Sequence, residues 1–258
     1  MGARILYDTD TWDAAAISSN SETGDLVDDN VIDDDVSKVW RTTGDTSEWI
    51  VFDLGAAAAL DMIGIFGHNL TAAATVTLQG HTADSWGAPD FSQTLEVVTD
   101  EDSVVIPKIV EFFTSTSKRY WRVLIADAAN PDTYIQIGRI KAGAYYEPAR
   151  SINERFSIMV VDPSEGQEEP GITPNFRSRT EYERISVAHE FASTTQRKEF
   201  RTLYRKVGKR VPVILSVDPT NEPTELSWFA RIVSGLPVRA ILDGQYNVGT
   251  LVYSEVVE

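Results

Sequence analysis

The sequence predicts a mainly β protein: an N-terminal jelly-roll sandwich, residues 1–147, followed by a second β-sandwich with one α-helix, residues 148–258. Three observations predict it. Short runs of alternating apolar and polar residues recur along the first half. Gly, Asn, Asp and Pro separate them, as the turns of an antiparallel sandwich require. Only one stretch, close to Phe200, shows sustained helical periodicity.

In the first half the predicted strands are Trp49–Leu54, Met62–Phe66, Thr75–Gln79, Ser103–Ile106, Tyr120–Ile125 and Tyr134–Ile140. Ala56–Leu60 alone resembles helix, and five residues are too few to nucleate one. In the second half Arg155–Val161 reads as a strand, followed by an acidic loop rich in Gly and Pro. Glu183–Phe191 alternates Ile185, Val187, His189 and Phe191, which places His189 on an apolar face as a core or interface histidine rather than a ligand. Ser193 and Gln196 form a capping box, and Gly208 supplies the helix stop. Phe200, Leu203, Tyr204 and Val207 make the helix's apolar stripe. Strands are predicted again at Val211–Val217, Ser227–Val233, Pro237–Leu242 and Tyr246–Val256.

Composition narrows the function. The 258 residues suffice for two domains of about 100–150 residues each. Cysteine is absent, which excludes disulfides, cysteine zinc sites and a thiol nucleophile and suits a reducing compartment. The opening residues turn acidic before any apolar run develops, so no signal peptide is expected. LGAAAAL is too short for a membrane span, and no membrane insertion is expected. Charge is uneven: residues 1–147 carry 24 Asp/Glu against 9 Lys/Arg, while residues 148–258 carry 15 against 14. The break coincides with the Gly/Pro punctuation of GAYYEPARS. So acidic a front half repels phosphate backbones, and no nucleic acid partner is expected.

One segment is more specific. Asn30–Asp35 is an acidic turn, Trp40 lies seven residues beyond Asp33, and Trp49–Gly55 reads WIVFDLG. This resembles the entry segment of the discoidin, or galactose-binding-like, sandwich family. Tyr120–Val123 and Ile135–Gly143 resemble that family's later strands, so the likeness spans roughly residues 20–145. It implies a presentation scaffold that binds or assembles. Family members with a structural calcium use the acidic turn, which places Asp33 and Asp35 at the ion's position. Lys38 and Arg139 stand here where Thr and Glu are usual, and a cation in the shell would repel calcium. The resemblance thus implies no metal, with Lys38 and Arg139 pairing the aspartates by charge-assisted hydrogen bonds. A solvated acidic turn is the alternative.

Sugar-binding relatives use loops at one end of the sandwich. The corresponding candidates are His68 and Asn69 in GHNL, and His81 and Trp86 in GHTADSWGAPD. A loop Trp also serves as a packing anchor, and an Asn as a turn stabiliser. On the helix, Arg197, Lys198, Arg201 and Arg205 form a basic face. It is read as solvation, as nucleic acid binding, or as docking onto an acidic neighbouring subunit, with solvation first and docking second. The order of strands, helix and strands resembles the ring-forming proteins of phage tails, with Gly208–Asp218 and Tyr246–Val256 as local echoes.

The three histidines lack metal-ligand spacing, and no hydrolase elbow, phosphate loop or dinucleotide fingerprint occurs. The expectation is a non-enzymatic virion structural protein of a tailed phage without cofactors. It would be a distal-tail or baseplate component, assembled in the host cytoplasm as a homo-oligomeric ring beside other tail proteins. The alternative is a carbohydrate-binding module or adhesin recognising host-surface glycans.

Overall fold

The structure, a computed structural model, describes residues 2–148, 156–167, 175–189, 192–242 and 245–257. The chain forms two compact units, Ala3–Glu147 with Ile214–Ser227, and Pro148–Val213 with Trp228–Glu258. The first crossing falls at the predicted punctuation. The return of Ile214–Ser227 to the first unit carried no local signal, because its partners are remote. Lys108 Nζ donates to the carbonyls of Glu225 (3.0 Å) and Ser227 (2.8 Å), and Thr224 exchanges hydrogen bonds with Val110, 114 residues away.

The first unit contains β1 (Arg4–Leu6), α1 (Asp10–Asp13), β2 (Ala16–Ser19), β3 (Trp40–Arg41), β4 (Glu48–Phe66), β5 (Thr75–His81), β6 (Phe91–Leu95), β7 (Lys108–Ala126), β8 (Gln136–Ile137) and β9 (Arg139–Gly143). It is the antiparallel sandwich that the resemblance implies. β4 and β7 are each 19 residues long and pair along most of their length. Register shifts between Asp53 and Ala58 and between Leu60 and Met62 bend the pair. Its first half joins β2, β5 and β6, and its second half joins β9.

Period-2 alternation sorts the faces. The row Ile17–Phe52–Trp121–Gly80–Phe91 points inward, and the next row, Ser18–Val51–Arg122–Gln79–Ser92, points outward. Phe52 and Trp121 are fully buried, and Trp12 stacks on Phe52 at 4.1 Å. Burying such rings dominates the energetics of a core this thin.

Two predicted strands, Trp49–Leu54 and Met62–Phe66, are therefore halves of one bent strand, and Ala56–Leu60 is the extended segment between them. Ser103–Ile106 is corrected from strand to turn, closed by a Thr99–Val105 bridge, with Ser103 at φ 65°. Side chains at such tips face water on both sides, so alternation there has nothing to bury.

The second unit contains β10 (Phe156–Val161), β11 (Glu165–Gln167), β12 (Asn175–Arg177), β13 (Tyr182–His189), β14 (Ala192–Ser193) and α2 (Thr194–Val207). After β15 (Val213–Ser216), which lies almost wholly in the first unit and pairs with β1, come β16 (Ser227–Ile232), β17 (Arg239–Leu242), β18 (Gln245–Asn247) and β19 (Gly249–Glu255). β13 pairs with β10 on one side and β19 on the other, and β19 pairs with β16. Residues 168–174 of the predicted acidic loop, and Glu190 and Phe191 of the predicted strand, lie outside the described residues.

The predicted capping box is present: Ser193 Oγ accepts from Gln196 N, and Gln196 Oε1 accepts from Ser193 N. Phe200, Leu203 and Val207 are buried. Tyr204 is only partly buried, and its hydroxyl donates to the Ser234 carbonyl at 3.2 Å. His189 packs against Phe200 at 4.6 Å and belongs to the core.

Candidate functional site

The acidic turn is tied to cations: the expected Lys38–Asp33 pair is present, whereas Arg139 takes other aspartates. Lys38 Nζ reaches Asp33 Oδ2 at 2.6 Å on the surface, and this hydrogen bond holds the Asp33 carboxyl below its usual range. Asp35 caps its own turn, accepting from Ser37 N and Oγ. Arg139 does not go to Asp33 or Asp35. It is fully buried, its Nη2 donates to Asp13 Oδ1 at 2.5 Å and lies 3.6 Å from Asp34, and its Nη1 donates to the Val31 and Ile140 carbonyls. Lys141, also buried, is 3.9 Å from both Asp13 and Asp34. β9 therefore threads two cations between α1 and the acidic turn. Among the described residues, no cluster of three or more His, Asp or Glu is arranged to hold a metal ion.

The four candidate sugar residues fall into two places. His68 is buried, its Nδ1 accepts from Leu70 N, and burial pulls its pKa down to about 4. Asn69 is fully employed: its amide donates to Asp132 and the Tyr134 carbonyl, and its Oδ1 accepts from Gln136 N. Neighbouring Thr71 is bonded to Asp127. This corner braces loops beside the Thr75↔Ala126 end of β5. His81 is at the other end of that strand, about 20 Å away at 3.4 Å per residue. His68 and Asn69 thus cannot share a ligand pocket with His81 and Trp86.

The second place lies on the outward sheet face. There Arg122 donates from Nε and Nη2 to Gln79 Oε1 (2.8 and 2.5 Å). The loop from Thr82 to Asp90 folds Trp86 over that guanidinium, with 4.6 Å between Arg122 Cζ and the ring centre. Trp86 Nε1 donates to Asp84, and partial burial lowers the Arg122 pKa against the opposing pull of Asp84. His81 Nδ1 accepts from Ala83 N, its Nε2 lies 3.8 Å from Asp90, and Lys118 binds Asp90 at 2.8 Å. One row further, Arg119 grips Asp53 with two hydrogen bonds of 2.7 and 2.8 Å, lowering the carboxyl pKa to about 2. The result is a half-buried indole held rigidly among paired polar groups. The sequence singled out Trp86 and His81 but not their neighbours Arg122 and Gln79, whose only signal was their shared outward position on adjacent strands.

In the second unit, Arg197, Arg201 and Arg205 line a cavity of about 490 Å³ with Leu236, Val238 and Tyr246. Arg197 stacks on Tyr246 at 4.7 Å. Lys198, expected on the same face, is exposed and does not line the cavity.

No family model matches this chain, and no curated protein matches it. Among solved structures it is similar to chitosan-binding module 2 of a chitosanase/glucanase from Paenibacillus sp. IK-5, determined with chitotriose, at 18% identity, covering 52% of this chain and 99% of that one with a TM-score of 0.40. It is similar to the lectin domain of lectinolysin complexed with Lewis B antigen at 14% identity, 53% and 98% coverage, and a TM-score of 0.42. A fucose-binding module of Streptococcus pneumoniae gives 10% identity, 52% and 93% coverage, and a TM-score of 0.41.

Proposed function

We propose that the first unit is a carbohydrate-contacting module whose binding surface is the Thr82–Asp90 loop and the outward face of β5 and β7. The observation that carries this reading is Trp86. An indole pinned over Arg122 offers its other face as a platform for the C–H side of a sugar ring, while Gln79, His81 and Arg122 supply hydrogen-bonding groups at its edge. The ordering cost is already met in the free protein, which favours binding by a small polar ligand. Glycan-array screening followed by calorimetry tests it. Trp86→Ala and Arg122→Ala should each abolish the signal, and undiminished binding in both variants removes the proposal.

A second reading, assembly with other chains as expected of a tail component, draws support from β10 as a strand edge open to pairing. This edge strand exposes Phe156 (39%), Met159 (52%) and Val160 (62%), so apolar groups face out on both sides of a sheet edge that is unpaired among the described residues. Such edges pair readily with other chains. Light scattering during size exclusion tests it: a strict monomer at all concentrations is incompatible with this reading.

A further inference from the structure

The arginine-lined cavity on α2 is charged, apolar-walled and unclaimed by either reading of the sandwich surface. Arg197, Arg201 and Arg205 recur every four residues, so they form a ladder with steps of about 6 Å along one helix face. None of the three has an ion-pair partner among the described residues, and Arg197 Nε is buried without a hydrogen bond. Leu236 and Val238 form an apolar wall opposite them. A ligand for this site must carry more than one anionic group and an apolar projection.

The chain presents such a group itself. The turn between β6 and β7 is an exposed acidic tip, Asp100–Glu101–Asp102–Ser103–Val104, closed at its base by the Thr99–Val105 bridge. Asp100 holds the tip rigid: its side chain accepts from Asp102 N (3.0 Å) and Val104 N (2.8 Å). Glu101 and Asp102 project freely, and Val104 is 60% exposed, which is unusual for an aliphatic side chain. A rigid tip loses little entropy on docking.

We infer that the Asp100–Val104 tip of one copy docks into the α2 cavity of a second copy, with Val104 against Leu236 and Val238 and the two carboxylates against Arg201 and Arg205. The two surfaces differ, so the contact is heterologous and joins copies head to tail. A contact this small is weak for a single pair, and charge sets much of its strength.

Sedimentation of the full chain across a concentration series, at low and moderate salt, tests the inference. Wild type should self-associate, less so as ionic strength rises. Glu101→Arg/Asp102→Arg and, separately, Arg201→Glu/Arg205→Glu should each weaken association by at least about tenfold while circular dichroism stays native. Mixing the two variants restores complementarity, the intact tip facing the intact cavity and the reversed tip facing the reversed cavity, so association should return in the mixture. Should the cavity variant misfold, Val104→Asp on the tip carries the same expectation. A monomeric wild type, association that persists in both variants (as pairing through β10 would), or no complex in the mixture overturns the inference. Trp86→Ala should leave self-association untouched, which separates this contact from the carbohydrate reading.

Discussion

Arg139 and Asp13 form a buried-to-surface ion pair, 2.5 Å between Nη2 and Oδ1, that joins the last strand of the sandwich to its first helix across 126 residues. The arginine has no exposure, while Asp13 keeps 31% of its side-chain surface. A guanidinium so enclosed is stable only while its carboxylates and carbonyls surround it. Removing one side of a buried pair typically costs about 3–5 kcal/mol. Asp13→Ala should therefore lower the urea midpoint strongly, because it strands the arginine. Lys38→Ala, which opens the exposed Asp33 pair, should leave the midpoint unchanged.

His68 and His189 predict acid sensitivity. Both are buried, and both have pKa values lowered from 6.5 to about 4. Desolvation is the main cause in each, opposed at His68 by a backbone contact at Lys108 and by Asp127, and unopposed at His189. As pH falls through 6.5 the unfolded chain takes up protons that the folded chain refuses until about 4, so stability is full above that window and declines within it. Each histidine contributes a loss of up to about 3 kcal/mol. Urea titrations at pH 7 and pH 5 should show the decline, and His189→Leu should reduce it.

The start of α2 depends on one hydroxyl. Ser193→Ala removes both the acceptor for Gln196 N and the geometry that lets Gln196 reach back. The expected loss is about 1 kcal/mol, read as a lower thermal midpoint, with Ser193→Asp close to wild type.

Gly138 has no room for a side chain. A Cβ there would lie 2.4 Å from the Val36 carbonyl oxygen, which is backbone and cannot swing aside. Gly138→Ala should cost about 1–3 kcal/mol through forced backbone displacement, measured by chemical denaturation.

Much of the fold could be read from local pattern. Trp49–Leu54, Tyr120–Ile125 and the capped α2 stand out because alternation and capping act within a few residues. The strand Phe91–Leu95 escaped notice, since FSQTL is mostly polar and only Leu95 is fully buried. The proposed site was half legible. Trp86 and His81 lie in a loop whose composition marks it, whereas Arg122 and Gln79 become partners only once β5 and β7 align in register. His68 and Asn69 looked equally eligible, and only their hydrogen bonds reveal a brace.

Residue order alone determined the β-rich class, the position of the helix and its ends, and the absence of disulfides, because each follows from interactions or chemistry within one short window. Tertiary structure alone decided that Arg139 answers to Asp13 and Asp34, that Ile214–Ser227 returns to the first unit, and that three arginines share a cavity wall. Those outcomes depend on which distant segments meet. Packing of the whole chain selects them, because no short stretch holds both partners.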